Sequence, residues 1–466
     1  MQRSTRAVVL GCGLAGMLAA KVLTKYVDRV TVLERDALGE DPVARAGLPQ
    51  HRHAHFLLAG GARALDSVLP GTIRSLIDAG AHRLGFPNDF VTFTPAGWQQ
   101  RFPERQFAIT CSRGFVDRHV RRRVLDEPRV DLLDATEVTG LIGDATRVTG
   151  VLVRNRQSGA TGGVRADLVV DATGRGSGAL DWLAALGAPA PAEKVIDCGL
   201  MYSSRIFTAP ASARAGFPAV TVALDPWSGE PSRSTVLVPI EGGRWLITLA
   251  GTRGAEPPAD EAGFARFARS VADPVVADLM DAAEPHGPIY RSRSTVNRRR
   301  YYERMPVWPE GFLVVGDALG AFNPAYAHGM SIAAKGALAL RSTLDRHGLR
   351  PGACRRAQRL LARTVRPAWA AATDQDRLYP GVSADGLTRI ALLRLRMSRR
   401  LMATAVSHEP TAQAVADIFA LSGSVAGLAK PEVLWALVRG CPRPEPDSAP
   451  PFTPEELSAH PFLGVG

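Results

Sequence analysis

A glycine-rich turn between two apolar segments is the feature that most constrains how this chain can fold. Residues 11–16 read Gly-Cys-Gly-Leu-Ala-Gly and follow the apolar segment 6–10. A helical pattern continues over 17–26, and a second apolar segment, 30–34, ends in an acidic residue. This order predicts a strand, a tight turn, a helix and a second, parallel strand. Such a unit binds the pyrophosphate of a dinucleotide at the helix N-terminus, and we expect Glu34 to accept hydrogen bonds from ribose hydroxyls.

Two later stretches place glycine and aspartate directly after an apolar segment. One reads Asp171-Ala-Thr-Gly-Arg-Gly-Ser177 and follows the strand-like residues 168–170. The other begins with Gly316 and Asp317 after residues 312–315, and it continues as Ala-Leu-Gly-Ala-Phe-Asn-Pro-Ala-Tyr-Ala-His-Gly-Met to residue 330. A long alanine-rich helix is predicted over 329–345. We interpret the three stretches as parts of one composite binding site.

The three motifs resemble those of the FAD-dependent monooxygenases typified by para-hydroxybenzoate hydroxylase and squalene monooxygenase, over about residues 1–345. The resemblance implies that Asp317 holds the ribitol of FAD and that Pro324 shapes the loop beside the flavin ring. The amides of residues 328–330 would begin a helix aimed at the pyrimidine edge of the ring. Reduced flavin carries negative charge there, which amide donors and a helix N-terminus stabilise.

Arginines complete the expected FAD site. Arg113, in Cys-Ser-Arg-Gly-Phe-Val-Asp, matches the family's Ser-Arg element, which reaches the phosphate and ribose of the cofactor, and we expect Arg45 near the flavin. The predicted FAD contacts are Gly11, Gly13, Leu14, Ala15, Gly16, Glu34, Arg35, Arg45, Arg113, Asp171, Gly174, Gly316, Asp317, Pro324, Gly329 and Met330.

The residue before Gly174 bears on how the flavin is reduced. Hydroxylases that bind nicotinamide themselves commonly have aspartate there, whereas this chain has Thr173. The form found here is closer to that of flavin halogenases, reductases and epoxidases. We therefore leave two routes open, reduction by NAD(P)H directly or through a separate flavin reductase.

Two runs are similar to a narrower group, the polyether epoxidases of the monensin and lasalocid type. They are residues 48–61, Leu-Pro-Gln-His-Arg-His-Ala-His-Phe-Leu-Leu-Ala-Gly-Gly, and residues 323–330, Asn-Pro-Ala-Tyr-Ala-His-Gly-Met. The resemblance implies epoxidation of the alkenes of a linear polyketide polyene by a flavin C4a-hydroperoxide. Such a transfer needs orientation and exclusion of water rather than a protein nucleophile. We expect Pro324, Tyr326 and His328 to place the substrate, with no acid-base pair.

Three alternatives follow from the same motifs. The first is an FAD-dependent aromatic hydroxylase. The second is a flavin-dependent halogenase, which needs a lysine between flavin and substrate, but no lysine occurs between Lys25 and Lys194. The third is a flavin-binding scaffold or carrier-docking module without turnover. The alternating His51, His53 and His55 suggest a polar wall near the ring, and we expect no metal site.

Charge and cysteine content bear on partners and compartment. The 56 basic residues exceed the 45 acidic ones, the net charge is +11, and only five of the basic residues are lysines. No nucleic-acid motif accompanies this charge, and the basic surface suggests delivery of the substrate by an acidic acyl carrier protein. The resemblance implies a polyene or polyketide substrate, dioxygen and a flavin reductase as the other partners. The five cysteines are scattered, and we expect no signal peptide and no membrane span. A cytoplasmic protein is predicted.

The fold class predicted from these patterns is α/β. We expect a discontinuous FAD-binding Rossmann-like domain of the glutathione-reductase type, formed by residues 1–80, 105–195 and 295–345. Residues 81–104 and 196–294 are predicted to form a β-rich substrate-binding domain. A C-terminal helical region is expected over 346–440, and the proline-rich residues 441–466 are expected to form an extended tail.

Overall fold

The structure is a computed structural model that describes residues 4–39, 49–214, 216–383, 387–423, 425–441 and 448–458. The strands of these residues are β1 (Arg6–Leu10), β2 (Arg29–Leu33), β3 (Leu57–Leu58), β4 (His82–Phe86), β5 (Phe90–Thr94), β6 (Gly97–Trp98), β7 (Gln106–Thr110), β8 (Val130–Leu133), β9 (Thr136–Gly143), β10 (Val148–Asn155), β11 (Thr161–Arg165), β12 (Leu168–Asp171), β13 (Glu193–Ile196), β14 (Met201–Thr208), β15 (Ala219–Val222), β16 (Arg233–Ile240), β17 (Arg244–Gly251), β18 (Glu284–Ser292), β19 (Asn297–Arg300), β20 (Phe312–Val314) and β21 (Gly320–Ala321).

The α-helices of the same residues are α1 (Leu14–Leu23), α2 (Ala59–Val68), α3 (Thr72–Asp78), α4 (Arg113–Leu125), α5 (Ala179–Ala185), α6 (Glu261–Arg269), α7 (Val275–Asp281), α8 (Gly329–His347), α9 (Ala353–Asp376), α10 (Arg389–Ala405), α11 (Glu409–Phe419), α12 (Pro431–Arg439) and α13 (Pro454–Ser458). Short 3-10 helices occur at Pro49–Arg52, Gly174–Gly176, Ala211–Ala213, Tyr302–Arg304, Gly316–Ala318, Pro324–Tyr326 and Val425–Ala429.

A five-stranded parallel sheet carries the glycine motifs. Its strand order is β20-β12-β1-β2-β8. Leu10 at the end of β1 lies opposite Asp171 and Leu33, and Asp171 lies opposite Val314. Strands β1, β12 and β20 are almost wholly buried, as parallel strands covered on both faces must be, which explains their continuous apolar runs. The three motifs therefore leave the same edge of one sheet, at the carboxyl ends of neighbouring strands.

The first helix packs closely against the turn that precedes it. A Cβ on Gly16, in the first turn of α1, would lie 1.9 Å from the carbonyl oxygen of Gly11. Gly11 itself has φ +92, and a Cβ there would lie 2.8 Å from the carbonyl oxygen of Ala172. Side chains at these two positions would force α1 away from β1 and β12. The glycines are thus required by the packing of this unit as well as by any ligand.

A second lobe is built on a seven-stranded sheet of order β18-β14-β17-β16-β15-β5-β6. Helices α6 and α7 cover it, and their apolar faces join a separate core around the fully buried Trp245. Strand β5 pairs in parallel with β15, whereas the other pairs of this sheet are antiparallel. The sheet of this lobe therefore combines residues 90–98 with residues 201–292.

The strand pairing of residues 82–110 corrects one detail of the sequence interpretation. Residues 90–109 alternate between apolar and polar, which predicts a hairpin or strand pair, but β5 turns back only as far as β6, two residues long. Strand β7 instead pairs with β4 and β3 in a three-stranded sheet of its own. Strand β4 thus belongs with β7 rather than with the seven-stranded sheet. Alternation along the sequence identified the strands, but their partners depend on packing between distant segments.

The C-terminal residues are helical up to Arg439, as expected. Helix α9 is 24 residues long, contains Pro367, and packs against α8 of the first lobe. Helices α10, α11 and α12 pack against one another. The expected extended tail is interrupted by α13, and Arg101 of the second lobe binds Glu456 of α13 at 2.6 Å. The fold class is confirmed as mixed α/β, with a parallel Rossmann-like sheet, additional sheets and C-terminal helices, while the exact domain boundaries stay a prediction.

We predict that Gly16→Ala destabilises the protein without touching the binding surface. The new Cβ cannot occupy the 1.9 Å gap to the Gly11 oxygen, so the turn and helix must separate, at a cost of about 1–3 kcal/mol. The melting temperature of the flavin-free protein should fall by a few degrees. Gly13→Ala is the matched control, because a Cβ there meets no atom within 4 Å. Equal melting temperatures for the two variants would contradict this account.

Candidate flavin-binding site

A continuous cleft runs along the carboxyl edge of the parallel sheet. Its two parts share Gly13, Ala172, Gly174, Arg175 and Ser294. We call them the nucleotide part, lined also by Glu34, Arg35 and residues 136–138, and the ring part, lined also by His55, Phe56, Arg113, Gly316, Asp317, Phe322, Asn323, Pro324, Gly329, Met330 and Ala333. The cleft thus joins all three motifs, which are separated by up to 300 residues in the sequence.

The glycines of the cleft wall leave the main chain bare. At Gly13, Gly174 and Gly329 a Cβ would meet no atom within 4 Å, so each of these positions faces open space in the cleft. Gly316 is required for a different reason. Its φ is +60, and a Cβ at this position would lie 2.7 Å from the Cβ of Ala15. Bare amides beside the N-termini of α1 and α8 suit the phosphates and the electron-rich ring edge of FAD. The residues present therefore fit FAD.

Glu34 is held in place at the end of β2. Its carboxylate is 4% exposed and accepts hydrogen bonds from the backbone amides of Cys12 and Asp36, each at 3.0 Å. These bonds tie the end of β2 to the glycine turn, and Glu34 and Arg35 line the nucleotide part. Contact of Glu34 with the ribose of the cofactor stays a prediction that this position supports.

The structure places Asp171 behind the cleft wall. Its side chain is fully buried and is not among the described residues that line the cleft. It accepts hydrogen bonds from the amide and hydroxyl of Thr173, at 2.9 and 2.5 Å, and from the Ser177 hydroxyl at 2.5 Å. Desolvation raises the pKa of this carboxyl. Asp171 thus holds the loop that carries Gly174 from behind, and its contact with FAD stays a prediction.

Arg175 is a cleft residue that the sequence interpretation missed. Its guanidinium donates to the carbonyl oxygens of Val296, at 2.6 Å, and Phe322, and its Nε lies 3.8 Å from a carboxylate oxygen of Asp317. Desolvation lowers the pKa of Arg175. The side chain lines both parts of the cleft, so one cation joins the loops after β12 and β20. Its position in the sequence, between Gly174 and Gly176 of the motif, is the signal from which its place in the cleft could have been predicted.

Arg113 reaches the ring part from the start of α4. Its Nε donates to both carboxylate oxygens of Asp117, one turn along, at 3.0 Å. Ser112 caps the helix by accepting from the Phe115 amide, and its own amide and hydroxyl donate to Glu241 at 2.7 and 2.5 Å. The arginine is thus oriented by its own helix and anchored to the second lobe. Arg45, the other expected arginine, lies outside the described residues.

The loop before α8 carries three residues that the sequence predicts to place the substrate, and the structure gives them different surroundings. Pro324, Gly329 and Met330 line the ring part, but Tyr326 and His328 are not among the described lining residues. The Tyr326 hydroxyl donates to Asp376 at 2.6 Å, and the His328 ring packs 6.0 Å from that of Phe419. Burial lowers the pKa of His328 to about 4, so its ring is neutral near pH 7. Both side chains face the C-terminal helices, which the sequence motif could not indicate.

Asp376, at the end of α9, fixes this loop from behind. One of its carboxylate oxygens accepts from Asn297 at 2.6 Å and from Asn323 at 2.9 Å, while the other accepts from Tyr326. The residue is 1% exposed, and desolvation raises the pKa of its carboxyl. Asn323 lines the ring part, so the C-terminal region positions the cleft wall through one buried carboxylate. No sequence motif marked this residue.

The histidines of residues 51–55 take three different positions. His55 lines the ring part. His53 is buried, and its Nδ1 lies 2.7 Å from the Ser204 hydroxyl, which in turn lies 2.7 Å from the hydroxyl of Thr248. Burial lowers the pKa of His53 to about 3, so it is neutral at pH 7. His51 belongs to a 3-10 helix rather than to a strand.

Comparison with known proteins identifies the family. A family described as FAD binding domain matches residues 4–347. The chain belongs to this FAD binding domain family. Protein Rv3254 of Mycobacterium tuberculosis is 32% identical over 408 residues, which cover 82% of each chain. FAD is therefore the cofactor for which the cleft is built.

Solved structures share the fold at low sequence identity. The p-nitrophenol 4-monooxygenase PnpA of Pseudomonas putida DLL-E4 is 18% identical with a TM-score of 0.61, over 91% of this chain and 99% of PnpA. The flavin-dependent brominase Bmp2 is 16% identical with a TM-score of 0.57, over 93% of each chain. These structures share the fold, whereas membership of the FAD-dependent monooxygenase superfamily and the similarity to polyether epoxidases stay predictions.

We predict that Gly13→Ala weakens FAD binding while the flavin-free protein keeps its melting temperature. The added methyl group projects into the cleft, where it displaces the pyrophosphate from the N-terminus of α1. The dissociation constant for FAD should rise about tenfold or more, as measured by flavin fluorescence on reconstitution. An unchanged dissociation constant would show that the cofactor does not approach this turn.

We predict that Asp376→Asn costs about 1–3 kcal/mol of stability, because the new amide group faces at least one buried donor that then lacks an acceptor. Tyr326→Phe is the graded control, since it removes one bond only and should cost about 1 kcal/mol. Thermal melting measures both losses, and FAD titration should show weaker binding by Asp376→Asn. If the two variants melt alike, the carboxylate does not organise the loop.

Proposed function

We propose that this protein is an FAD-dependent monooxygenase that epoxidises alkenes of a linear polyketide polyene. The observation that carries the proposal is the composition of the ring part. Apolar side chains, Phe56, Phe322, Pro324, Met330 and Ala333, make up much of its wall. Such a wall suits an apolar acceptor of oxygen, and the polyether-epoxidase resemblance of residues 323–330 supports the same substrate class.

The overall reaction balances without a protein nucleophile. One atom of dioxygen forms two C–O bonds as the alkene π bond breaks, and the other leaves as water. Two electrons and two protons come from NAD(P)H and solvent. FAD, when bound and reduced, activates the dioxygen. The task of the chain is to hold the alkene, keep water out and place donors where negative charge develops.

The residues of this chain divide these tasks. Gly329 and Met330 present the first amides of α8 to the ring part, and Pro324 shapes the wall beside them. Arg175 and Asp317 compensate each other's charge, which leaves the cofactor end of the cleft nearly neutral. Phe56 and Phe322 supply apolar surface to an alkene chain. Tyr326 and His328 contribute to the placement of the substrate through the loop, which they hold by contacts with Asp376 and Phe419.

An aromatic hydroxylase is the second candidate. A phenolic substrate reacts faster as its phenolate, so such an enzyme benefits from a base near the substrate hydroxyl. Of the described residues lining the ring part, the ionisable ones are His55, Arg113, Arg175 and Asp317. Asp317 and Arg175 pair with each other, and Arg113 binds Asp117. His55 is therefore the base that this alternative would use.

A halogenase is disfavoured by the positions of the lysines. None of the five lysines is among the described residues that line the cleft. Lys335 of α8 donates to the carbonyl oxygen of Leu421 at 2.5 Å, and Lys21 and Lys25 pair with Glu127 and Asp345. A lysine between flavin and substrate would require a rearranged α8.

The partners proposed from the sequence are kept. NAD(P)H reduces the flavin directly or through a separate flavin reductase, and an acyl carrier protein delivers the substrate.

The proposal is tested by incubating the FAD-loaded protein with a linear polyene and NAD(P)H. A parallel reaction contains a flavin reductase in addition. We expect the product mass to rise by one oxygen atom per alkene oxidised, with oxygen consumed only when the polyene is present. His55→Gln should retain this activity within about twofold, because no proton transfer by His55 is needed. In a separate reaction with a phenol in place of the polyene, hydroxylation that is lost in His55→Gln would favour the second candidate. A halogenated product, formed when halide is added, would overturn the proposal.

A further inference from the structure

Helix α10 presents an unusual outer face. Its 17 residues include five arginines and no acidic residue. Ile390, Leu393 and Met397 follow one another at helical spacing and are 71%, 61% and 48% exposed. Ala391 and Leu395 lie on the opposite face of the helix and are buried against the protein. The helix therefore has a second apolar stripe, directed away from the core.

Helix α12 extends this surface. Leu434, Trp435 and Val438 are 50%, 63% and 74% exposed, which is high for side chains of this size. The two helices are in contact, and the Arg400 guanidinium donates to the Val438 carbonyl oxygen at 2.7 Å. We call the exposed apolar residues of the two helices the α10/α12 face. Contiguous exposed apolar surface of this kind marks an interaction site.

Basic side chains border the α10/α12 face. Arg396 and Arg400 follow the apolar stripe on one side and Arg394 on the other, and Arg439 lies 5.7 Å from the Trp435 ring. A second copy of the chain would bring like charges together across a two-fold axis, which disfavours self-association. Apolar side chains, a tryptophan and flanking arginines are the pattern of helices that lie in the headgroup region of a membrane.

We propose that the α10/α12 face binds the surface of an anionic lipid membrane. The apolar side chains enter the headgroup boundary, and Arg396, with Arg400 beside it, pairs with lipid phosphates, whereas Arg394 is already paired with Asp374. No helix in the part of the chain that the structure describes is long and apolar enough to cross a bilayer, so the association is peripheral. The proposal does not depend on which substrate the flavin site oxidises.

The test is sedimentation of the FAD-loaded protein with vesicles of phosphatidylcholine alone or mixed with phosphatidylglycerol. We expect binding to the anionic vesicles at low salt, little to the neutral ones, and weakening at high salt. The double variant Leu393→Ser/Met397→Ser should lower the binding constant at least about tenfold. Arg396→Ala should lower it about fivefold. Blue-shifted tryptophan emission on binding should diminish in Trp435→Phe.

Matched controls are Leu152→Ser, whose side chain is 46% exposed on β10, and Arg74→Ala, 82% exposed on α3. Both should bind vesicles as the unaltered protein does, and unchanged flavin absorbance and melting temperature confirm folding in every variant. Absence of binding to anionic vesicles, or equal loss in the controls, overturns the proposal. So does light scattering that shows a dimer which the double variant dissociates, because a second copy would then cover the face.

Discussion

The close approach of bare backbone at the carboxyl edge of the parallel sheet is the constraint on which the rest of the structure depends. Gly16 allows α1 to touch the turn after β1, and Gly11 allows that turn to touch the loop after β12. Gly316 then allows the loop after β20 to contact Ala15. Because these contacts bring three distant segments within reach of one ligand, the cleft exists only when the sheet is assembled.

Buried polar groups hold the cleft walls from behind. Asp171 organises the loop after β12, and Asp376 organises the loop before α8. Burying a carboxylate is costly unless hydrogen bonds satisfy it, and each of these carboxylates has at least three donors. The wall is therefore ordered before a ligand arrives, which lowers the entropy cost of binding.

The C-terminal helices connect the site to the outside of the molecule. Helix α9 reaches the cleft through Asp376, and Asp374 of the same helix binds Arg394 of α10 at 2.9 Å. Helix α10 in turn carries the outward apolar stripe of the α10/α12 face. One helical region thus supports the loop before α8 on one side and carries the exposed α10/α12 face on the other.

The sequence by itself determined the α/β class, the cofactor and most residues of the cleft wall, because glycines after buried strands have a local meaning that neighbouring residues reveal. It placed Gly13, Gly174, Gly316, Asp317 and Pro324 in the cleft correctly. Only the tertiary structure decided that Asp171, Tyr326 and His328 lie outside the described lining of the cleft, that Arg175 lines it, and that Asp376 supports it. The direction of a side chain depends on donors and packing partners that lie far away in sequence, and no local pattern encodes them.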